Sequence, residues 1–514
     1  MAYCSSTAAY CKIISMNSQL INIIFGMKVK QARLDTGMTL TEFASQSDLS
    51  PSYVTEIEKG RKYPRADKIM KIAEVLDKNY DDLVSIRLEP PLTHLGTALS
   101  SPVLGQFPFE EFGIEMSDIV GVLTRSPDKA SALLHAVSEV GRQYDLQEHH
   151  FLLSALRSYQ ELHDNYFPDL EDAAADFAKA HDFKEAADVT DESLRKILQE
   201  QFNYQIDQER LKDNQELKRY RSVFIRGSKP RLLINAKLHP FQVRFLLARE
   251  IGYVALKLTD RANTTPPDQV DSFQQVLNDF RASYFAGVLL MPRPQMLDDI
   301  QAFFDQGQWA ADALKEMMDK YQVSPENLMY RFSELVPQFF GLPIHYLRVH
   351  REGDRYRLAR QLNLNRLRVP NGLAADEHFC RHWLVVRLLT ELQEKRASGN
   401  STDMNSPVIG VQVSEYLDQK AWFLCFGFAR EMPLEGFDSC GIIGFRIEPT
   451  LRNTISFSAD PAIPQVTINE TCERCSLTAS QCTLRAAPPT TVERDNRRLA
   501  RRKALQELTA ELRS

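Results

Sequence analysis

Apolar residues near the start of the chain recur at helical spacing: Ile69, Ile72, Ala73 and Leu76 stand at i, i+3, i+4 and i+7, one stripe on one helix. Upstream, Leu40, Phe43 and Ala44 give a shorter helix an inward face, and Thr39 with Glu42 forms the S/T-x-x-E pattern that caps its start. Ser50 caps a third helix beginning at Pro51, where proline gives up only an amide hydrogen the first turn does not use. Val54 and Ile57 face inward there, and Gly60 ends the run. Residues 27–88 therefore read as a compact helical domain. Residues 89–108 are a Pro/Gly/Ser-rich linker, and the pattern from Phe109 to about Gln205 is helical. RSVFIR and RLLIN are short strands joined by the turn signal GSKP, followed by an apolar helix from Pro240 to Leu258. From about Ser406 the pattern turns strand-like, in SPVIGVQV, AWFLCFGFAR and GIIGFRIEP, and residues 490–514 are a basic amphipathic helix. The expected class is mainly α with α+β regions. The expected division is an extension (1–26), a helical head (27–88), the linker, a sensor core (109–350), a C-terminal α+β domain (351–489) and the basic helix.

Composition changes this picture little. The 514 residues suffice for about three domains of ~150 residues. A net charge of −6 excludes a uniformly basic coat, so binding of a nucleic acid must come from a local patch. No apolar run reaches the ~20 residues of a membrane span. Asn22 interrupts INIIFG near the start, so residues 1–26 read as a nonessential extension, with Met16 and Met27 both plausible starts. Eight cysteines without an export signal point to a reducing, cytoplasmic setting.

Three of those cysteines crowd into ETCERCSLTASQC. Cys472, Cys475 and Cys482 form a C-x2-C-x6-C array, in which the first pair places two sulfurs on one turn and the third closes a face around a metal. The expected fourth ligand is Cys380 in EHFCRHW, between His378 and His382, with Cys440 in reserve. Cys425 and Cys440 lie in apolar strand-like runs and read more simply as core thiols. A disulfide with a spare thiol is the alternative. Four thiolates suit zinc as well as iron-sulfur, and spacing alone does not separate them.

The second and third helices, joined by a tight turn, make a helix-turn-helix whose second member exposes Ser52, Tyr53, Thr55 and Glu56 beside the cap Ser50. Lys59, Arg61, Lys62, Arg65, Lys68 and Lys71 follow, as phosphate contacts require. Tyr53 and Glu56 are expected to read bases of a double-stranded operator, and Arg61 and Lys62 to hold phosphates. A plain bundle with a solvated basic face is the other reading. Over about 60 residues, VTEIEKGRKYP above all, the segment resembles the lambda-repressor-like (XRE) family, which implies that Arg33 pairs with Glu58 and places Leu40 where the family often has glutamine.

FQVRFLLAREIGYVAL, with DFRASYFAGVLLMP some thirty residues later, resembles the ImmA/IrrE metallopeptidase frame. That family binds zinc through H-E-x-x-H and a later glutamate. On those positions this chain has Arg249, Glu250 and Tyr253, then Arg281. Guanidinium groups repel zinc, so the expectation is no enzyme. Arg249, Tyr253 and Arg281 then form either an anion site or internal pairs with Glu250 and nearby acids.

The head, the degenerate frame and CERCSLTASQCTLRAAPP together resemble the RamB/PrpR-like short-chain fatty acyl regulators, with Arg381 replacing a proline of that family's C-P-x-W element. The resemblance implies control of propionate and glyoxylate-bypass genes, a response to short-chain acyl-CoA, a four-iron, four-sulfur (4Fe-4S) cluster and action as a homodimer or higher homo-oligomer. A redox- or iron-responsive repressor and an active ImmA-like peptidase are the alternatives.

Overall fold

The computed structural model describes residues 21–22, 24–85, 109–114, 148–214, 216–267, 270, 272–369, 377–399, 407–417 and 421–512. The expected linker 89–108, most of the extension 1–26 and residues 115–147 of the expected helical segment lie outside them. The chain forms two compact units, Met1–Ala155 and Leu156–Ser514.

In the first unit a helix over residues 24–35 (α1) precedes α2 (Leu40–Gln46), α3 (Pro51–Glu58), α4 (Ala66–Val75) and α5 (Tyr80–Val84). The expected caps are present. The Glu42 carboxylate accepts from the Thr39 N–H at 2.8 Å, and Ser50 Oγ accepts from the Tyr53 N–H at 3.2 Å. Phe25, Phe43, Val54, Ile57, Ile69 and Ile72 close one core. That corrects the expected boundary at Met27. Phe25 is 1% exposed, and a Cβ on Gly26 would lie 2.1 Å from the Ile57 carbonyl oxygen, so α1 packs on α3 through residues assigned to the extension.

The second unit is entered through α6 (Glu148–Leu162), which runs across the division, and continues with α7 (Pro168–Ala180) and α8 (Asp191–Glu200). Next come β1 (Gln205–Asp207), β2 (Ser222–Ile225), β3 (Arg231–Ile234), α9 (Pro240–Ala255), β4 (Thr264–Thr265) and α10 (Phe273–Leu290). The strands β1 to β4 form a sheet in the order β1-β3-β2-β4. Helices α11 (Arg293–Phe304), α12 (Ala311–Tyr321) and α13 (Pro325–Phe340) lead to β5 (Ile344–Glu352), β6 (Arg355–Asn363) and α14 (Leu384–Ala397). The remainder is β7 (Val408–Tyr416), β8 (Ala421–Met432), β9 (Phe437–Arg446), α15 (Pro449–Thr454), β10 (Gln465–Ile468) and α16 (Thr490–Glu511). The second sheet has six strands, ordered β10-β7-β8-β9-β5-β6, with β10 parallel to β7.

The boundary expected at 350/351 falls inside β5, whose residues Ile344 to Arg351 pair with β9. The sensor core and the C-terminal domain are thus one body. Phe303 and Phe304 of α11 pack edge-on against Phe426 and Phe445 of the sheet, with ring centroids 5.6 and 6.2 Å apart. Arg430 of β8 also grips Glu326 of α13 through two hydrogen bonds of 2.8 and 2.7 Å. Burial pushes the Glu326 carboxyl up, but Arg430 and Arg348 outweigh that desolvation and leave it depressed to about 2.

Candidate functional site

The helix-turn-helix is held from behind. Arg33 of α1 donates to both Glu58 oxygens, at 2.6 and 3.1 Å, and to the Met38 carbonyl at 2.8 Å, so the pair implied by the resemblance is present and buried. It fixes the end of α3, on which Ser52 is exposed while Tyr53, Thr55 and Glu56 are half-buried. The Thr55 hydroxyl donates back to the Pro51 carbonyl at 2.9 Å. Tyr53 packs against the core, and the Lys62 and Lys68 ammonium groups stand 5.7 and 4.3 Å from its ring centroid. Glu56 meets Arg61 at 3.5 Å. Lys59, Arg61 and Lys62 are exposed. The residues expected to read bases and those expected to hold phosphates therefore adjoin one another, cations over the tyrosine ring.

On the peptidase-like helix α9, Arg249 and Tyr253 do converge one turn apart, and their shared partner is Asp279 of α10. The Tyr253 hydroxyl donates to Asp279 Oδ1 at 2.9 Å and Arg249 Nη1 lies 3.3 Å from the same oxygen, while Arg249 Nη2 donates to the Thr265 hydroxyl. Arg249 Nε is buried without a partner. Arg281, half-buried, comes two residues after Asp279, about 200° round the helix, so it does not share the face these two side chains reach. Glu250 is fully buried and gives both oxygens to Arg261, at 2.7 and 2.6 Å. The Arg261 guanidinium is sandwiched by the Phe224 and Tyr253 rings, 4.0 and 3.7 Å from their centroids. Burial, then the Asp279 charge, pushes the Tyr253 phenol far above its ordinary range, so it stays a neutral donor. Helices α9 and α10 approach closely because residue 252 is glycine: a Cβ there would sit 2.8 Å from the Ala282 carbonyl oxygen.

Sequence reasoning missed Arg261 and Asp279. Asp279 carried a usable signal, since it stands in the same helix two positions before Arg281. Arg261 carried none, because it follows α9 in an irregular stretch.

The six described cysteines are all free. Cys425 and Cys440 sit in β8 and β9 inside the core, as read from their apolar surroundings. Cys380 lies instead against the C-terminal loop: its N–H donates to the Glu470 carbonyl at 3.4 Å, and the Cys472 N–H donates to the His378 carbonyl at 2.9 Å. Burial pushes the Cys380 thiol up to about 11, and Cys472 and Cys475 push the same way. Burial likewise raises Cys475, where Arg485 opposes and Cys482 and Cys472 reinforce. Cys472 and Cys475 thus bear on Cys380, and Cys482 and Cys472 on Cys475, whereas Cys440 lies among core residues of β9. The Ala486 N–H points at Cys472 Sγ from 3.4 Å, and Arg485 donates to the carbonyls of Cys472, Cys475 and Leu477. The Ala486 N–H on a sulfur and the Arg485 guanidinium on the neighbouring carbonyls brace the loop that carries three of the four cysteines of the expected Cys4 set. Among the described residues no three Cys, His, Asp or Glu side chains already stand in a metal-holding arrangement. The Glu473 carboxylate accepts from the His378 N–H and contacts His378 Nδ1, at 2.9 and 2.8 Å, tying the two cysteine segments together.

Residues 29–83 match the helix-turn-helix family, and residues 199–333 match the IrrE N-terminal-like domain. The control protein C.BamHI of Bacillus amyloliquefaciens is 35% identical over 65 residues, which is 12% of this chain and 80% of that protein. A solved structure titled as a transcriptional regulator of Mycobacterium tuberculosis shares 17% identity with a TM-score of 0.46, covering 65% of this chain and 92% of the other. No helix among the described residues is long and apolar enough to cross a membrane. With a capped second helix in its helix-turn-helix, a basic flank, the two domain matches and the likeness to the control protein, the chain belongs to the helix-turn-helix family and is a DNA-binding transcriptional regulator that carries an IrrE N-terminal-like domain.

Proposed function

We propose that this regulator governs genes of short-chain fatty acid metabolism, propionate and the glyoxylate bypass among them, in response to short-chain acyl-CoA. It works in the cytoplasm as a homodimer, without peptidase activity. The observation that carries the non-enzymatic reading is the state of α9. The glutamate that would act as general base in a peptidase is locked in a two-point bridge to Arg261, and the histidine positions hold Arg249 and Tyr253. A carboxylate held that way accepts no proton from a water. Arg249 supports the ligand reading, because its buried Nε remains a donor for an anionic group such as a coenzyme A phosphate. Arg281, expected as the second cation, stands on another face of α10 and is not counted in this site.

Cys380, Cys472, Cys475 and Cys482 would hold a 4Fe-4S cluster, with zinc as the alternative; either centre would tie the loop to the segment before α14. Binding requires the thiols to lose their protons, so metal uptake and ordering of the loop are one step.

Calorimetry with propionyl-CoA tests the ligand reading. The protein without added metal should bind it, and Arg249→Glu should weaken binding. Undiminished affinity in that variant removes the ligand from this cleft. A second reading, an iron- or redox-responsive repressor, is favoured by one contact: the first amides of α16, Thr491 and Val492, bond to the Glu473 carbonyl between Cys472 and Cys475, at 3.1 and 3.4 Å. DNA binding that follows metal removal and ignores propionyl-CoA would select it.

A further inference from the structure

No residue of helix α16 is buried, and from Glu493 to Leu508 every residue is exposed. Its arginines are not scattered. Arg494, Arg497, Arg498, Arg501 and Arg502 stand at i, i+3, i+4, i+7 and i+8, the spacing that normally marks an apolar stripe. At about 100° per residue they fall within about 140° of the helix circumference, over roughly 12 Å of its length. Glu493 and Asp495 flank this face, and neutralise only its beginning: Asp495 lies 3.7 Å from Arg494 and 3.9 Å from Arg498. Arg501 and Arg502 pair with no acid among the described residues. In a chain of net charge −6, this face is not a by-product of overall basicity.

We infer that the arginine face of α16 is a second DNA-contacting surface, which grips the phosphate backbone of the duplex without reading its sequence. The chemistry of the face selects the partner. Five guanidinium groups in a row match a polyanion with regularly spaced phosphates, to which arginine binds through two parallel hydrogen bonds. A second copy of the same face would bring like charges together. A membrane surface would need an apolar face opposite the cations, and over the same turns that side carries Asn496, Leu499, Ala500 and Lys503, with one large apolar residue. DNA is the polyanion that the head already binds. The helix is also anchored for the purpose, since the Thr491 and Val492 amides hold its first turn to the Glu473 carbonyl.

The inference rests on the chain's being a DNA-binding protein, and the test separates the two. Binding of the full chain to a mixed-sequence duplex is measured by fluorescence anisotropy across a salt series. Loss of about 0.9 unit of the log–log salt slope is expected per phosphate contact removed. The triple variant Arg497→Gln, Arg501→Gln, Arg502→Gln should therefore lose roughly 2 to 3 units of slope. The matching triple Arg→Lys variant should keep most of it, and Lys503→Gln, on the other side of the helix, should keep it all. Glutamine is nearly as good a helix former as arginine, so helicity is retained and circular dichroism verifies it. An unchanged slope in the glutamine variant overturns the inference, as does a lysine variant as weak as the glutamine one. A glutamine variant that instead changes oligomeric state, or releases the chain from phosphatidylserine vesicles, with the DNA slope intact, overturns it in favour of those partners. Absence of any duplex binding by the unaltered chain would overturn the DNA-binding reading itself.

Discussion

In the cleft of α9 and α10 the side chains that could meet a ligand are largely spent on one another. Glu250 gives both oxygens to Arg261, and Tyr253 and Arg249 share Asp279. In the cysteine loop the reverse holds: four buried thiols lie in two segments tied together by backbone bonds and by the Glu473–His378 contact, and none of them is in a disulfide or an ion pair. Burial makes the difference costly in both places. A charged group taken from water must be paired, which explains why the buried cations of the cleft stand beside carboxylates. A thiol is a weakly polar group, stays neutral when buried and tolerates having no partner. The cleft holds internal ion pairs, whereas the loop carries soft donors.

The largest effect that could break this contrast is on metal uptake. Single Cys→Ser changes at Cys380, Cys472, Cys475 and Cys482 should each cost more in metal affinity than the roughly 10- to 100-fold typical of losing an outer partner. Cys440→Ser should leave content unchanged, since that thiol lies in β9 among core residues. Elemental analysis of anaerobically purified protein decides it, and broad absorption near ~400 nm separates iron-sulfur from zinc. Metal retained in Cys380→Ser and lost in Cys440→Ser would reassign the fourth ligand.

The next largest is on stability at the cleft. Glu250→Ala leaves the Arg261 guanidinium buried without its partner, which should cost about 3 to 5 kcal/mol in urea unfolding. Replacing both residues by apolar ones of similar size should recover most of that loss. A negligible cost for Glu250→Ala would show a carboxylate free for chemistry and would reopen the peptidase reading.

These two regions also differ in how far they could be read before folding. The thiol array was legible because its cysteines are close in sequence and rare in type, and because Cys380 stands between two histidines. The pairing of Arg249 with Tyr253 on one face was legible for the same reason: they occupy fixed positions on one helix. Their present partners were not, since Arg261 reaches Glu250 from an irregular segment and no periodicity marks it. The caps at Thr39 and Ser50 are local chemistry and were readable. Phe25 was not, because a polar Asn22 in a short apolar run looks like a dispensable leader until α3 is folded against it. Strands β5 and β6 escaped notice because HYLRVHREGDRYRLARQLN carries many cations: β6 is the sheet edge and needs only one buried face, whereas β5 is interior and its Arg348 is met by the Ser439 hydroxyl at 3.0 Å and by Glu326 at 3.8 Å.

A third, smaller effect is on pH dependence, and it has opposite signs in the helices and in the six-stranded sheet. Burial lowers His345 of β5 from 6.5 to about 4. Its unfolded form binds a proton first, so its contribution is complete above pH 6.5 and is lost as pH falls towards 4, amounting to about 3 kcal/mol. Burial raises Glu334 of α13 from 4.5 to about 7, with Arg331 opposing and Glu171 reinforcing. Here the folded form binds the proton more tightly, so the contribution is present below pH 4.5 and is lost as pH rises through 7. His345→Gln should flatten the acid limb of a stability profile, leaving the part due to His350, which burial lowers to about 3. Glu334→Gln should flatten the limb between pH 4.5 and 7. A profile that neither change alters would mean that both groups keep ordinary values.

The smallest effect separates the two ion pairs of the cleft from each other. Tyr253 serves both: its hydroxyl donates to Asp279 at 2.9 Å and its ring lies 3.7 Å under the Arg261 guanidinium. Tyr253→Phe removes only the hydroxyl. Asp279 is 39% exposed at its side chain and can take water instead, so the loss should be about 1 kcal/mol or less. Tyr253→Ala removes the ring as well and opens a hole in a site where Tyr253 is 3% exposed, which should cost about 3 to 5 kcal/mol. Urea unfolding of the two variants beside Glu250→Ala gives the order. If Tyr253→Phe costs as much as Glu250→Ala, the Asp279 contact is the one that holds the cleft together, and the bridge between Arg261 and Glu250 is secondary to it.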